Sequence, residues 1–214
     1  MEETKAVIFD MDGVILDSET ICEKAWLQAG AEFGMARIRE TAAACLGTNL
    51  HDTREILFKI YGRNFDADGF VARTSALFHE EEDKNGIPLK PGALEILGYL
   101  KPKFRLALAS STKGETVRRQ LRNAGVLDFF ETLTTGESVL HSKPDPEIYR
   151  MACESLNLGP EFCAAVEDSP NGVRSAAAAG IRTVMIPDRI APSEEMRRLA
   201  WRICGSLNGL REFL

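Results

Sequence analysis

Asp10 and Asp12 stand two residues apart where the apolar run "AVIF" (6–9) ends, and Gly13 follows at once. Strand periodicity sends side chains at this spacing the same way, so both carboxylates can act on one atom while glycine lets the backbone turn away behind them. Asp and Gly are also ordinary turn residues after a strand, so the other strand ends decide. "LALASST" ends on Ser110 and Ser111, "CAAVEDS" ends on Glu167 and Asp168, and "SKPDPEIY" offers Lys143 ahead of a proline-started helix. Four distant segments thus deliver acids, hydroxyls and a cation. Asp10, Asp12, Glu167 and Asp168 would crowd four negative charges into a partly buried cleft, which requires a cation. An oxygen-lined site suits Mg²⁺. Mg²⁺, Lys143 and a proton kept by one carboxylate acting as an acid balance the charge, and the cleft can then admit a phosphate dianion. Thr112 and Glu115 have capping-box spacing just after Ser110, so hydroxyl and N–H groups at a helix start are expected to hold phosphate oxygens. By its parts this is a phosphoryl-transfer site.

The elements that position these residues alternate along the chain. "AVIF" (6–9), "LALAS" (106–110), "CAAVED" (163–168), "RTVMI" (182–186) and, more weakly, "TLT" (132–134) read as buried strands. Helical spacing of apolar residues covers 92–100, 113–124, 145–156 and 170–179, each closing near a Gly, Pro or Asn. In the last of these Ser169 is the expected N-cap, Pro170 the first helical residue and Gly180 the stop. This order predicts an α/β fold: a Rossmann-like parallel sheet core flanked by helices, with ligands at the carboxyl ends of the strands. Residues 15–87 break the alternation. They hold only helical patterns ("SETICEKAWLQAGAEFG", "DTREILFKIYG", "ADGFVARTSALFHEEEDK") and return through the turn-rich "NGIPLKPG". The expectation is an α-helical cap domain (15–87) inserted into a core domain built from 1–14 and 88–214, and acting as its lid.

The 214 residues suit such a core with an insertion. With 27% charged residues and a net charge of -6, there is no basic field for nucleic acid or an anionic membrane. The apolar start meets Asp10 too soon for a signal peptide or a membrane span. Five scattered cysteines without a C-x-x-C point to a reduced, cytoplasmic setting. With no heptad pattern or large apolar stripe, a monomer is the default. His51, His79 and His141 lack ligand spacing and read as surface or ordinary polar residues, though His51 could face the cleft. "HEEED" (79–83) reads as a solvated helix face, and Trp26 as cap core.

D-x-D-G on the first strand, Ser on the second, Lys-Pro further on and a final E-D resemble the four motifs of the haloacid dehalogenase superfamily of phosphohydrolases. The resemblance spans essentially the whole chain, its helical insertion is similar to the family's cap, and "FDMDGVILDSE", "SKPDPEIY" and "VEDSPNGVRSAAAAG" look most like the β-phosphoglucomutase-like branch. It implies that Asp10 is the nucleophile, forming an aspartyl-phosphate, and Asp12 the general acid and then base. It implies that Asp10, Asp168 and the Asp12 carbonyl hold Mg²⁺, with Glu167 in support, and that Ser110, Ser111 and Lys143 bind the phosphoryl group. Dehalogenases of the superfamily lack the second aspartate. Mutases of this branch place a His where this chain has Cys22 and a cap Arg where "GTNLHDT" offers Leu50, with Arg73 as the available substitute. The expected activity is therefore Mg²⁺-dependent hydrolysis of a small phosphorylated metabolite, a sugar phosphate by preference, with Asn49, His51 and Arg73 as candidate substrate residues in the cap. Two alternatives stand beside it: a β-phosphoglucomutase-type mutase, and a receiver-like or regulatory phosphometabolite-binding protein without turnover.

Overall fold

The computed structural model describes residues 3–46, 48 and 50–214. Its order is β1 (Ala6–Phe9), α1 (Ser18–Glu32), α2 (Ile38–Cys45), α3 (Leu50–Tyr61), α4 (Ala67–Asn85), α5 (Ala93–Leu100), β2 (Arg105–Ser110), α6 (Gly114–Asn123), β3 (Thr132–Thr135), α7 (Glu147–Ser155), β4 (Cys163–Glu167), α8 (Pro170–Ala178), β5 (Arg182–Met185), α9 (Glu194–Leu199) and β6 (Arg202–Ile203). The six strands form one parallel sheet in the order β3-β2-β1-β4-β5-β6. The chain leaves β1 toward β2 and β3 on one side and returns to β4 on the other. The C-terminal end of β1 is therefore the topological switch point, where open α/β sheets bind ligands.

Alternation along the strands builds the core. Ala6 and Ile8 of β1, Ala107 and Ala109 of β2 and Ala165 of β4 lie in one buried cluster with Ile148, Tyr149, Ala152 and Ala176 of α7 and α8. The small alanines let these helices approach the sheet closely. Every residue of β1 is fully buried, so the strand can only end where polar groups find partners.

The chain divides into two compact units. One runs from the N-terminus to Asp17 and from Pro88 to Leu214, and the other is Ser18–Ile87. The second unit is helical, and its core centres on Phe70, whose ring meets Trp26, Phe33 and Phe65 at centroid distances of 5.1, 5.6 and 6.1 Å. In the first unit the two segments that lead to the helical one are paired: Asp17 N–H donates to the Pro88 carbonyl at 2.8 Å, Lys90 N–H donates to the Ile15 carbonyl at 2.9 Å, and Leu16 bridges Leu89. Lys90 Nζ reinforces the pairing, 2.8 Å from Asp188 and 3.6 Å from Asp17.

The Rossmann-like expectation holds, and three local readings change. The helices α2 and α9 and the two-residue strand β6 went unread, the helices because each buries only one or two side chains, the strand because two residues carry no period. "HEEED" is not wholly solvated: Glu82 is only 3% exposed, with His79 Nδ1 3.1 Å from its carboxylate. The Thr112/Glu115 capping box is not formed. Lys113, whose side chain has no acceptor to offer, is the N-cap of α6, and the Thr112 hydroxyl donates to the Asp12 carboxylate instead.

Candidate active site

Lys143 sits at the centre of the site. Its ammonium donates to Asp10 Oδ1 and Glu167 Oε1, each at 2.6 Å, and to the Ala109 carbonyl at 3.1 Å. Those three acceptors come from the ends of β1, β4 and β2, so one side chain ties together the strands flanking the switch point. Burial alone would depress its pKa, but the carboxylates of Asp10 and Glu167 hold it well above the usual lysine value, so the charge is permanent.

Asp10 and Asp168 show the opposite imbalance. Burial, resisted by Lys143 and reinforced by Glu167 and Asp12, pushes Asp10 up to about 7. Burial, then Glu167 and Asp10, pushes Asp168 up to about 9. One lysine does not neutralise this set. Oxygen atoms of Asp10, Glu167 and Asp168 lie within 4.8 Å of one another, an all-oxygen donor set that fits a hard divalent cation. Gly13 helps to form it. Its φ of +78° is a left-handed turn, and a Cβ there would overlap the Asp168 carboxylate.

Asp12 is held separately, its Oδ2 accepting the Thr112 hydroxyl at 3.1 Å. Sequence reading missed Thr112 in this part, because only the fold brings the first and second strand ends together. Ser110 is fully buried, and its Oγ accepts the Thr112 N–H at 3.1 Å; Ser111 is exposed. Tyr149 was also missed: its hydroxyl donates to Glu167 Oε1 at 2.7 Å. The core candidates Asp10, Asp12, Ser110, Lys143, Glu167 and Asp168 thus meet around the end of β1.

The helical unit treats its candidates differently. Arg73 donates twice to Glu32, at 2.6 and 3.0 Å, and once to Glu80 at 3.0 Å. His51 is exposed on the first turn of α3, and Asn49 lies outside the described residues. Cys22 and Leu50 line one cavity of about 330 Å³ with Trp26, Val71, Phe78 and the hydroxyl residues Thr48, Thr53, Thr74 and Ser75. Among the described residues no charged side chain lines it.

The sequence pattern of haloacid dehalogenase-like hydrolases matches residues 4–180. The chain belongs to that family. A "Phosphorylated carbohydrates phosphatase" of Thermotoga maritima is 33% identical over 184 residues, covering 84% of this chain and 83% of the relative. Among solved structures, a putative β-phosphoglucomutase from Thermotoga maritima superposes with a TM-score of 0.81 at 28% identity, over 99% of this chain and 100% of that one. A HAD family hydrolase from Deinococcus radiodurans with bound phosphate and sodium reaches 0.83 at 28% identity, over 97% and 93%. The reading as a phosphatase of the β-phosphoglucomutase-like branch agrees with these relatives. No helix among the described residues is long and apolar enough to cross a membrane.

Proposed function

We propose that the chain hydrolyses a small phosphorylated carbohydrate with Mg²⁺ through a phosphoryl-aspartate on Asp10. The observation that carries this is the ammonium of Lys143 held against Asp10 at 2.6 Å, with Asp168 and Glu167 oxygens gathered at the same point. Asp10, Asp168 and the Asp12 carbonyl would hold Mg²⁺, whose charge makes an anionic phosphoryl group tolerable beside the carboxylates. The Asp10 carboxylate attacks phosphorus. Asp12, steadied by Thr112, gives a proton to the leaving oxygen and later takes one from water. Lys143 and Ser110 bind the phosphoryl oxygens. The helical unit, residues 18–87, serves as the lid.

The choice of phosphatase over mutase is supported by two features of the helical unit. Arg73 already has carboxylates on its guanidinium, and among the described residues the cavity that contains Cys22 and Leu50 is lined by hydroxyls and apolar walls without a cation. A mutase must grip a second phosphate, which such a surface does poorly. The Thermotoga relative named for phosphorylated carbohydrates points the same way. The test is release of inorganic phosphate with Mg²⁺ from sugar phosphates, polyol phosphates and an aryl phosphate. It includes β-glucose 1-phosphate with a trace of the 1,6-bisphosphate and runs beside Asp10→Asn. Release that vanishes in the variant supports the reading. Glucose 6-phosphate formed without phosphate release would replace it with a mutase, and no turnover of any ester would leave a binding protein.

A further inference from the structure

We propose that Tyr149 is a positioning residue for Lys143 and acts through Glu167; the inference rests on the phosphate-binding role proposed above for Lys143. A lysine ammonium is a point charge on a flexible four-carbon stem, and it marks one place in a site only if its acceptors are fixed. Two of the Lys143 acceptors are carboxylates. Asp10 gives up its negative charge when one of its oxygens bonds to phosphorus, so Glu167 is the side-chain anchor whose charge remains.

Glu167 is itself fully buried and needs donors of its own. Among the described residues its Oε2 receives only distant ones, Asp168 N–H at 3.3 Å and the Ser169 hydroxyl at 3.4 Å. Its Oε1 is shared by Lys143 at 2.6 Å and Tyr149 at 2.7 Å. Apart from Lys143, the Tyr149 hydroxyl is therefore the closest donor that this carboxylate has among these contacts. The ring completes the arrangement, with its centroid 5.1 Å from the Lys143 ammonium. Gly172 leaves no space beside Glu167 either: a Cβ there would overlap the carboxylate. Glu167 thus has both the backbone of α8 and a phenol from α7 close against its carboxylate. Phenylalanine would fill the same core volume, so the hydroxyl at this fully buried position is explained by its acceptor.

The experiment compares wild type, Tyr149→Phe, Lys143→Met and the double variant, each metal-free for the Mg²⁺ titration and loaded with Mg²⁺ for every other measurement. Calorimetry measures inorganic phosphate binding and Mg²⁺ binding, and turnover of an aryl phosphate and thermal melting are followed on the same samples. Tyr149→Phe is expected to weaken phosphate binding roughly tenfold and to lower kcat/KM by a similar factor, with Mg²⁺ affinity unchanged. In the Lys143→Met background the same change should cost phosphate binding nothing further, because its effect passes through that lysine. A lowered melting temperature with unchanged phosphate affinity would make Tyr149 merely structural and overturn the inference. So would an equal loss in the Lys143→Met background. If wild type binds phosphate but turns over no ester, the proposed function fails, while the Tyr149 effect on phosphate binding still decides this inference. If wild type binds no phosphate, both fall.

Discussion

The Thr112 hydroxyl lies 3.1 Å from Asp12 Oδ2 although one hundred residues separate them. The first and second strand ends thus share one hydrogen bond at the proposed acid/base. Thr112→Val keeps the shape and removes the donor, leaving Asp12 without this support. A several-fold loss of kcat is expected, in line with about 1 kcal/mol for one such bond. Thr112→Ser should retain most of the rate, and equal kinetics for both variants would show that the bond does not matter.

Asp10→Asn should abolish turnover and leave the circular dichroism spectrum unchanged. Asp12→Asn should still bind Mg²⁺ but hydrolyse ~100- to 10,000-fold more slowly, the usual worth of a general acid/base. Residual activity near wild type in the first variant would remove the covalent step.

Acidity and metal binding should be linked. Without a cation, burial holds the Asp10 proton to about 7 and the Asp168 proton to about 9. Both are raised, so between the ordinary carboxylate value and these limits the folded chain binds more protons than the unfolded one. Metal-free stability must then fall as pH rises through that window. Mg²⁺ requires ionised ligands and reverses the trend. The rise in melting temperature on adding Mg²⁺ should widen from about pH 5 to about pH 8, and a rise independent of pH would exclude proton displacement by the ion.

Gly172→Ala should damage the site through its floor. The added methyl overlaps a buried carboxylate, and overpacking of this kind costs about 1–3 kcal/mol. Urea unfolding should show the loss, together with a raised KM as Glu167 and Lys143 shift. Unchanged unfolding would mean that α8 yields freely.

Arg73→Met tests the phosphate count. Because its guanidinium is committed to Glu32 and Glu80, phosphatase KM is expected to stay the same, and a sharp KM increase would return Arg73 to substrate binding.

Much of this was legible in the sequence because the candidate site residues hang on the ends of short buried runs. "AVIF" and "LALAS" end where β1 and β2 end and "CAAVED" runs one residue past β4, and burial leaves polar residues no other place. Strand order was not legible, since apolar runs carry no address for their neighbours. Nor were the roles of Thr112 and Tyr149, because each acts on a carboxylate supplied by another segment. Glu82 shows the converse error: a run of acids reads as solvated, yet helix rotation turns one of them inward. Cys22 and Leu50 were conspicuous one at a time, and only folding of the helical unit shows that they share a cavity.

The paired segments 15–17 and 88–90 have an architectural consequence. Seventy residues, 18–87, leave and rejoin the sheet-bearing unit at points hydrogen-bonded to each other, so the closure that holds this excursion is made locally and does not depend on its contents. The helical unit is in effect a cassette on a clasp. A cassette of another length or sequence could be spliced at the clasp while the strand ends keep their arrangement, which lets selection rewrite the inserted unit without disturbing the residues gathered at the end of β1.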